Sequence, residues 1–348
     1  MAEPHILIIT TMRNEGPFVL EWLAHHRALG VGRFLVYANA CDDGTDVLLE
    51  RLHTADVLTY VPFTPKGRSV QWPVLRAARE TQAYAEAQWV LCIDCDEFVN
   101  LRAPLATLSD LIDAVPLADA FALGWRLFGS GGHLHFDPAA VTERFQRAAP
   151  EVMLFPAASR FFKSLYRKDA GLFTRPGIHR PKRRSASKDL PVWVDGSGAG
   201  LGDGFAQADA QILLRPDQCG RDLVQLNHYS LRSAEDFLIK RRRGLPNRRD
   251  KDLDASYWAE RNFNTVEDRS IDRHASGTQA ELARLMALPG VSEAHEACIS
   301  KHRAQIDKQL AKPAEARLFT RLRLLPDSIP PDETTARAML RVVSDAGR

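Results

Sequence analysis

The sequence predicts an α/β protein with a mostly parallel, Rossmann-like sheet that carries helices on both faces. Apolar, β-branched runs alternate with stretches of helical spacing, and this order implies right-handed crossovers between parallel strands. The runs predicted to be strands are residues 5–11, 33–39, 57–61, 89–93, 120–128, 159–166 and 223–229. The stretches predicted to be helices are residues 18–29, 47–52, 69–88, 107–115 and 234–243.

The composition is that of an ordinary globular protein. The chain has 348 residues, of which 45% are hydrophobic and 26% are charged. The formal net charge of +2 gives no overall electrostatic basis for binding nucleic acid, and five cysteines, an odd number, fit a reducing compartment. We therefore expect a cytoplasmic protein that does not bind nucleic acid, with peripheral membrane contact left open.

Two parts of the chain differ in pattern. Residues 1–232 carry the strand and helix alternation, whereas residues 233–348 form a predicted helical extension with a basic segment and a polar tail. In this extension, residues 254–310 have amphipathic helical spacing, with an interruption near 289–290. Residues 195–209, rich in Gly, Asp and Ala, are predicted to be an extended loop.

An acidic motif ends the predicted strand over residues 89–93. Asp94 and Asp96 are two residues apart, so at strand spacing their side chains would point the same way. Two carboxylates at the end of a buried strand suit Mg²⁺ or Mn²⁺, which often take their remaining ligands from substrate phosphates. Glu97 follows directly and can instead cap a helix, and an acidic loop is the alternative for the whole motif.

Polar clusters also follow two other predicted strands, at residues 11–15 and 39–43. Because the carboxyl ends of parallel strands meet at one edge, we expect these clusters to lie near the acidic motif. The chain lacks the glycine-rich phosphate loops, so a phosphate would be neutralised by the metal and by basic side chains such as residues 240–243. This arrangement suits the departure of a diphosphate, as in nucleotide-sugar chemistry.

The motifs over residues 5–245 resemble those of GT-A type glycosyltransferases, of family 2 and of the family 92-like group. The segments that carry the resemblance are 13–15, 21–23, 25–31, 39–45, 94–98, 125–133 and 227–229, followed by Ser233, Glu235, Phe237, Lys240 and Gly244. The resemblance implies metal-dependent transfer of a sugar, with inversion, from a nucleotide-diphosphate donor, expected to be a UDP-sugar. The implied acceptor is a hydroxyl on a glycan or lipid, as in polysaccharide biosynthesis.

The resemblance also implies roles for individual residues. The metal would be held by Asp94, Asp96 and His228. The donor would be contacted by Thr11, Arg13, Asn14, Glu15, Asn39, Asp94 and Lys240. Asp96, Glu97 and His179 are the predicted catalytic residues, and the candidates for the general base by residue type are Glu97, His179, Asp137 and Asp203. Trp125 could stack on a sugar, and His133 and His135 could face the acceptor.

Three other functions stay open at this point. One is nucleic-acid binding through residues 239–251, which hold seven basic side chains against one acid, Asp250, although the overall net charge does not favour it. A nucleotidyltransferase also places paired acids on an α/β sheet, although residues 13–16 are too acidic for its usual glycine-rich basic loop. A non-catalytic nucleotide-sugar-binding protein with a transferase-like fold is the third alternative.

Overall fold

A computed structural model of the chain describes residues 4–64, 70–185, 187, 189–244 and 253–346. Its strands are β1 Ile6–Met12, β2 Arg33–Ala38, β3 Thr59–Pro62, β4 Trp89–Cys92, β5 Glu97–Leu101, β6 Ala120–Leu127, β7 Arg147–Ala148, β8 Phe162–Arg167, β9 Phe173–Arg175, β10 Lys182–Arg183, β11 Trp193–Val194, β12 Val224–His228 and β13 Val266–Glu267. Its α-helices are α1 Val19–Ala28, α2 Thr45–Thr54, α3 Gln71–Arg79, α4 Gln82–Glu86, α5 Leu108–Ala114, α6 Val141–Arg144, α7 Gly202–Gln207, α8 Ala234–Arg243, α9 Ala255–Ala259, α10 Ala275–Met286, α11 Val291–Leu310, α12 Pro313–Arg323 and α13 Glu333–Ala346. Short 3₁₀ turns occupy Ala157–Arg160, Pro216–Gln218 and Ser270–His274.

The central sheet has the strand order β3-β2-β1-β4-β8-β6-β12-β5, with β11 paired to β6. Strands β8 and β5 run antiparallel to their neighbours, and the other neighbours are parallel. The predicted α/β class with a mostly parallel sheet is therefore confirmed. Because β1, β2, β4, β6 and β12 share one direction, their carboxyl ends lie along the same edge.

Both faces of this sheet are buried, since successive side chains of a strand point to opposite faces. Ile6 and Ile8 of β1 join an apolar cluster with Trp22 of α1. Leu7 and Ile9 join a second cluster with Val74 and Leu75 of α3 on the other face. Helices on both faces explain why the strands read as continuous apolar runs in the sequence.

The histidine pair of α1 fastens this helix to the sheet. His25 Nε2 donates to the Val99 carbonyl (2.7 Å) and His26 Nε2 accepts from the Val99 amide (3.3 Å). The remaining nitrogens also have partners, Thr278 Oγ for His25 (3.3 Å) and the Trp22 carbonyl for His26 (2.8 Å). Burial lowers the pKa of His25 to about 4 and that of His26 well below its ordinary value, so both rings are neutral structural groups.

The predictions for two segments differ from the structure. The helix predicted over 69–88 is divided into α3 and α4, because Thr81 has extended backbone and caps α4, and residues 65–69 lie outside the described residues. The loop predicted over 195–209 contains α7, so that prediction is wrong for this stretch. Phe205 holds the helix in place against Trp193, with the ring centroids 5.4 Å apart, and this tertiary contact outweighs the local glycine content.

The C-terminal extension is helical, as predicted, but more divided. The interruption near 289–290 is present, where Gly290 adopts a left-handed φ of 71° before α11. The region 254–310 also contains the short strand β13, which pairs with β7. The prediction of a helix is therefore wrong for this part of the region. The polar tail forms α12 and α13.

Helix α10 packs on α1 and α11 packs on α2, so the extension contacts the sheet domain through two pairs of helices. Helix α11 also packs on α8 within the extension. The boundary after residue 232 stays a prediction. Among the described residues, no helix combines the length and the apolarity needed to cross a membrane.

Candidate functional site

A cavity of about 740 Å³ lies at the carboxyl ends of the parallel strands. This volume is in the range of small-molecule binding sites. The predicted site residues that line it are Thr11, Arg13, Glu15, Asn39, Asp94, Asp96, His179, His228 and Lys240. Asn14 and Glu97, which were also predicted, lie behind its wall with almost no exposed surface. The structure therefore brings together most of the residues that the sequence placed at separate strand ends.

Asp94 and Asp96 occupy a turn and not a strand. Strand β4 ends at Cys92, and the antiparallel strand β5 begins at Glu97. The alternation of a strand therefore does not apply to the two aspartates, and the expectation that they share a direction on that basis is wrong. Each carboxylate instead contacts a different lysine.

Asp94 is held by a buried lysine that the sequence analysis missed. Lys163 Nζ donates to Asp94 Oδ2 (2.9 Å) and lies 3.4 Å from Glu97 Oε2, while Gln71 donates to Asp94 Oδ1 (3.0 Å). Burial alone would lower the pKa of Lys163, but Asp94 and Glu97 outweigh burial and raise it above its ordinary value. The Lys163 side chain lies on β8 and is only 2% exposed. A lysine between Phe162 and Leu165 in a predicted strand was the sequence feature that could have indicated a buried charge.

Glu97 shapes the acidic turn from behind. Its Oε2 accepts the backbone N–H of Asp94 (2.8 Å), and the residue is completely buried. Burial raises the pKa of Glu97 to about 8, although Lys163 acts in the opposite direction. Glu97 begins β5 and does not cap a helix. Because its side chain is buried and bonds the backbone of Asp94, it orients the turn and is not placed to contact an acceptor as a base.

Asp96 faces the cavity between a lysine and a histidine. Lys240 Nζ donates to Asp96 Oδ2 (2.8 Å), and His228 Nε2 lies 3.7 Å from Asp96 Oδ1. Burial raises the pKa of Asp96, but Lys240 and His228 overcome this and hold it well below its usual range. Burial lowers the pKa of His228, whose ring lies on Trp125 with centroids 4.0 Å apart.

The carboxylates of Glu15, Asp94 and Asp96, which we call the acidic wall, face the basic wall formed by residues 240–243. Glu15 accepts from Arg232 Nη1 (3.0 Å) and pairs with Arg243. Asn14, with a left-handed φ of 55°, donates to Asp42 (2.6 Å), which pairs with Arg242. Ion pairs therefore join the two walls directly.

The start of α8 fixes the position of the basic wall. Ser233 Oγ caps the helix by accepting the backbone N–H of Asp236 (3.1 Å). In return, the Asp236 carboxylate accepts the backbone N–H of Ser233 (3.2 Å), which completes a capping box. Asp236 also accepts from His302 of α11 (2.9 Å), which ties the start of α8 to α11 within the C-terminal extension. The four basic residues form the last turn of the helix, where positive charge is favourable.

His179 provides a neutral imidazole on the aromatic side of the cavity. Its Nδ1 lies 2.9 Å from the Phe162 carbonyl, which can only accept, so Nδ1 carries the proton and Nε2 keeps a lone pair. Burial and, secondly, the charge of Lys163 lower the pKa of His179 to about 4. Phe161 stacks on the ring with centroids 5.0 Å apart, and Trp125 packs edge-on.

The remaining candidates lie outside the cavity wall: Asp137, Asp203, His133 and His135. His133 Nε2 donates to the Arg144 carbonyl (3.1 Å), and His135 Nδ1 contacts Glu235 (2.8 Å). These contacts are typical of structural histidines. The basic residues at 248, 249 and 251 lie outside the described residues.

The residues as arranged do not fit a divalent cation. Within the described ranges, no group of three or more His, Cys, Asp and Glu side chains is placed to hold a metal ion. Asp94 and Asp96 each direct an oxygen at a lysine ammonium group. His228 Nε2 lies 3.7 Å from Asp96 Oδ1 and does not form a three-ligand group with the two aspartates. The requirement for Mn²⁺ or Mg²⁺ stays a prediction.

Comparison with known proteins shows which family the strand-rich part is similar to. The model of Glycosyltransferase family 92 matches residues 9–181. The match includes the acidic wall and Lys163 and ends before the basic wall.

Two plant members of family 92 illustrate the similarity. A protein of Ricinus communis is 34% identical over 120 residues, which are 32% of this chain and 20% of that protein. A protein of Oryza sativa subsp. japonica is 26% identical over 157 residues, 41% of this chain and 25% of that protein. The alignments thus span a quarter or less of each plant protein.

Among solved structures, S. aureus TarS 1-349 aligns over 92% of this chain and 90% of that chain, with 17% identity and a TM-score of 0.33.

Proposed function

We propose that the protein is a glycosyltransferase that moves a sugar from a nucleotide-diphosphate donor to a hydroxyl acceptor with inversion. A UDP-sugar is the proposed donor, and a glycan or a lipid carries the proposed acceptor. The observation that carries this proposal is the cavity, where the acidic wall of the part similar to family 92 faces a basic wall. A nucleotide sugar needs both a charged region for its diphosphate and a polar and aromatic region for its sugar.

The donor would lie across the strand ends. Thr11 and Asn39, at the ends of β1 and β2, offer a hydroxyl and an amide that can bond a base or ribose. Arg13, Lys240 and Arg243 line the same cavity and can donate to phosphate oxygens. The sugar would then face the region of Trp125 and His179, where an aromatic ring can stack on it.

The transfer step needs a base and a stabilised leaving group. The acceptor oxygen forms a bond to the anomeric carbon while the bond from that carbon to the diphosphate oxygen breaks, and its electron pair stays with the diphosphate. The acceptor proton passes to the Nε2 lone pair of His179, which is neutral at physiological pH. The basic groups stabilise the charge that develops on the departing diphosphate.

A donor screen tests the proposal. Melting temperatures are measured with UDP-, GDP- and TDP-sugars, each with Mn²⁺ and with EDTA, because a ligand that binds only the folded state stabilises it. We expect a UDP-sugar to raise the melting temperature and to be turned over with release of UDP. His179→Gln should retain donor binding and lose turnover, with His133→Gln as its control outside the cavity.

Three outcomes would contradict the proposal. Binding without turnover with any of a set of hydroxyl acceptors would favour the non-catalytic alternative. Release of pyrophosphate from a nucleoside triphosphate and a sugar phosphate would favour a nucleotidyltransferase. The absence of binding by every nucleotide sugar would remove the function altogether. The cytoplasmic location and the acceptor class stay predictions.

A further inference from the structure

Both carboxylates of the acidic turn already have a cationic partner. Asp94 receives the ammonium of Lys163, which is almost completely buried, and Asp96 receives that of Lys240. The two lysines come from different elements, β8 and α8, so two independent parts of the fold direct an ammonium at this turn. A divalent cation would have to displace these groups or lie beside them, and like charges in a partly buried site repel strongly.

The charge of the cavity points the same way. Among the described residues, seven Lys and Arg side chains line it against three Asp and Glu, a formal surplus of four positive charges. Five ion-pair partners lie just behind these residues: Asp42, Glu97, Glu260, Glu315 and Arg232. Counting these partners as well, eight basic groups face seven acidic groups, which leaves a formal positive surplus of one. The cavity therefore keeps a positive surplus that suits an anionic ligand such as the diphosphate of a nucleotide sugar.

Lys240 has the hydrogen-bonding capacity to hold such a ligand. An ammonium group has three donors. Lys240 Nζ uses one on Asp96 Oδ2 (2.8 Å) and one on the Ser230 carbonyl (2.7 Å), and the side chain lines the cavity. The third donor can reach a phosphate oxygen without breaking the other two bonds, so Asp96 would orient the ammonium and not compete for it.

We propose that this protein binds the donor diphosphate and stabilises its departure with Lys240 and the arginines of the basic wall, without a divalent cation. In this proposal the two aspartates hold lysines and do not ligate a metal. The inference rests on the proposed function, since it concerns how the same cavity holds a nucleoside diphosphate.

Calorimetric titration with UDP tests the proposal on the full chain, first stripped with EDTA and then in excess Mn²⁺. We expect UDP to bind in EDTA with an affinity within about threefold of that in Mn²⁺, which is small beside the tenfold that one lost strong contact costs. Lys240→Met should weaken binding in EDTA by about tenfold or more, because a charge-assisted hydrogen bond is lost, and Lys240→Arg should retain most of it. Lys182→Met is the matched control, since its ammonium pairs with Asp209 (2.5 Å) outside the cavity.

The outcomes separate this inference from the proposed function. If UDP binds only when Mn²⁺ is present, the inference is overturned and the proposed function stands. Unchanged binding by Lys240→Met in EDTA, with a melting temperature equal to that of the wild type, also overturns it. If UDP and nucleotide sugars fail to bind under both conditions, the proposed function itself fails.

Discussion

The acidic wall and the basic wall of the cavity are built in opposite ways. The acidic wall comes from loops that follow parallel strands, and Asp94 and Asp96 sit in one tight turn. The basic wall is the last turn of α8, and it belongs to the part of the chain beyond the family 92 match. Each wall satisfies the charges of the other, since Glu15 pairs with Arg243 and Asp96 with Lys240.

This difference shows where the specificity of the cavity can reside. The acidic wall is fixed by backbone that the sheet determines, whereas the basic wall depends on where one helix begins. The helix start depends in turn on Asp236 and its contact with His302. Changes in the C-terminal extension can therefore alter the charge presented to a ligand without altering the sheet.

The largest effect is expected from the acidic wall. Asp96→Asn should lower kcat/KM for donor turnover by about a hundredfold to a thousandfold, because it removes the anion that orients Lys240 at the site of developing charge. Steady-state release of the nucleoside diphosphate measures this. Asp209→Asn, whose partner Lys182 lies outside the cavity, is the control. Turnover by Asp96→Asn within tenfold of the wild type would show that the acidic wall is not part of the catalytic machinery.

Separating the two walls should cost stability. Glu15→Gln leaves the guanidinium groups of Arg232 and Arg243 without their buried anion, so the free energy of unfolding should fall by about 3 kcal/mol. Urea denaturation measures the change. Glu281→Gln breaks the pairs with Arg27 and Arg284, which are more exposed, and should cost less than about 1 kcal/mol. Equal losses in the two variants would mean that the walls are not joined by strong ion pairs.

Acid should destabilise the contact between α1 and the sheet, which lies outside the cavity. The pKa of His25 is about 4 in the folded state and 6.5 when exposed, so the folded state binds fewer protons between these values. Its contribution is complete above pH 6.5 and is lost as the pH falls towards 4, by about 3 kcal/mol in total. Unfolding free energies measured across this range should decline, and His25→Gln should flatten the decline. An identical decline in the variant would assign it to other groups.

The smallest effect is expected from the ion pair between Arg242 of the basic wall and Asp42. Arg242 and Asp42 are both partly exposed, so Arg242→Met should change the unfolding free energy by about 0.5 kcal/mol or less. The same variant should weaken UDP binding a few-fold, more at low salt than at high salt, since exposed charges are screened. A salt-independent loss would contradict a contribution that depends on exposed, screened charge.

The acidic wall could be predicted because its information is local. Apolar runs ending in polar residues place Thr11, Asn39 and Asp94 at strand ends, and the parallel order brings these ends together. The family resemblance is confirmed for residues 9–181. The basic helix was likewise predicted from its spacing, and Lys240 lines the cavity as expected.

The partners of these residues could not be predicted, because they depend on pairings that are distant in the sequence. Lys163 reaches Asp94 only because β8 inserts antiparallel between β4 and β6. Glu97 appeared to be available for catalysis because the sequence does not show that β5 pairs with β12 and buries it. The turn at Asp94 and Asp96 could not be predicted either, because the apolar run of residues 89–93 does not show that β4 ends at Cys92.

The pairing of Glu15 with Arg243 joins residues 228 positions apart. During synthesis from the N-terminus, the first strand and its acidic loop leave the ribosome long before α8 exists. The nascent sheet domain can bury its apolar faces early, but Glu15 has neither of its arginine partners until residue 232 has emerged, and the second, Arg243, follows with α8. The cavity is thus completed late in biosynthesis, and a chain halted before α8 would display acidic strand ends without the basic groups that a phosphate ligand requires.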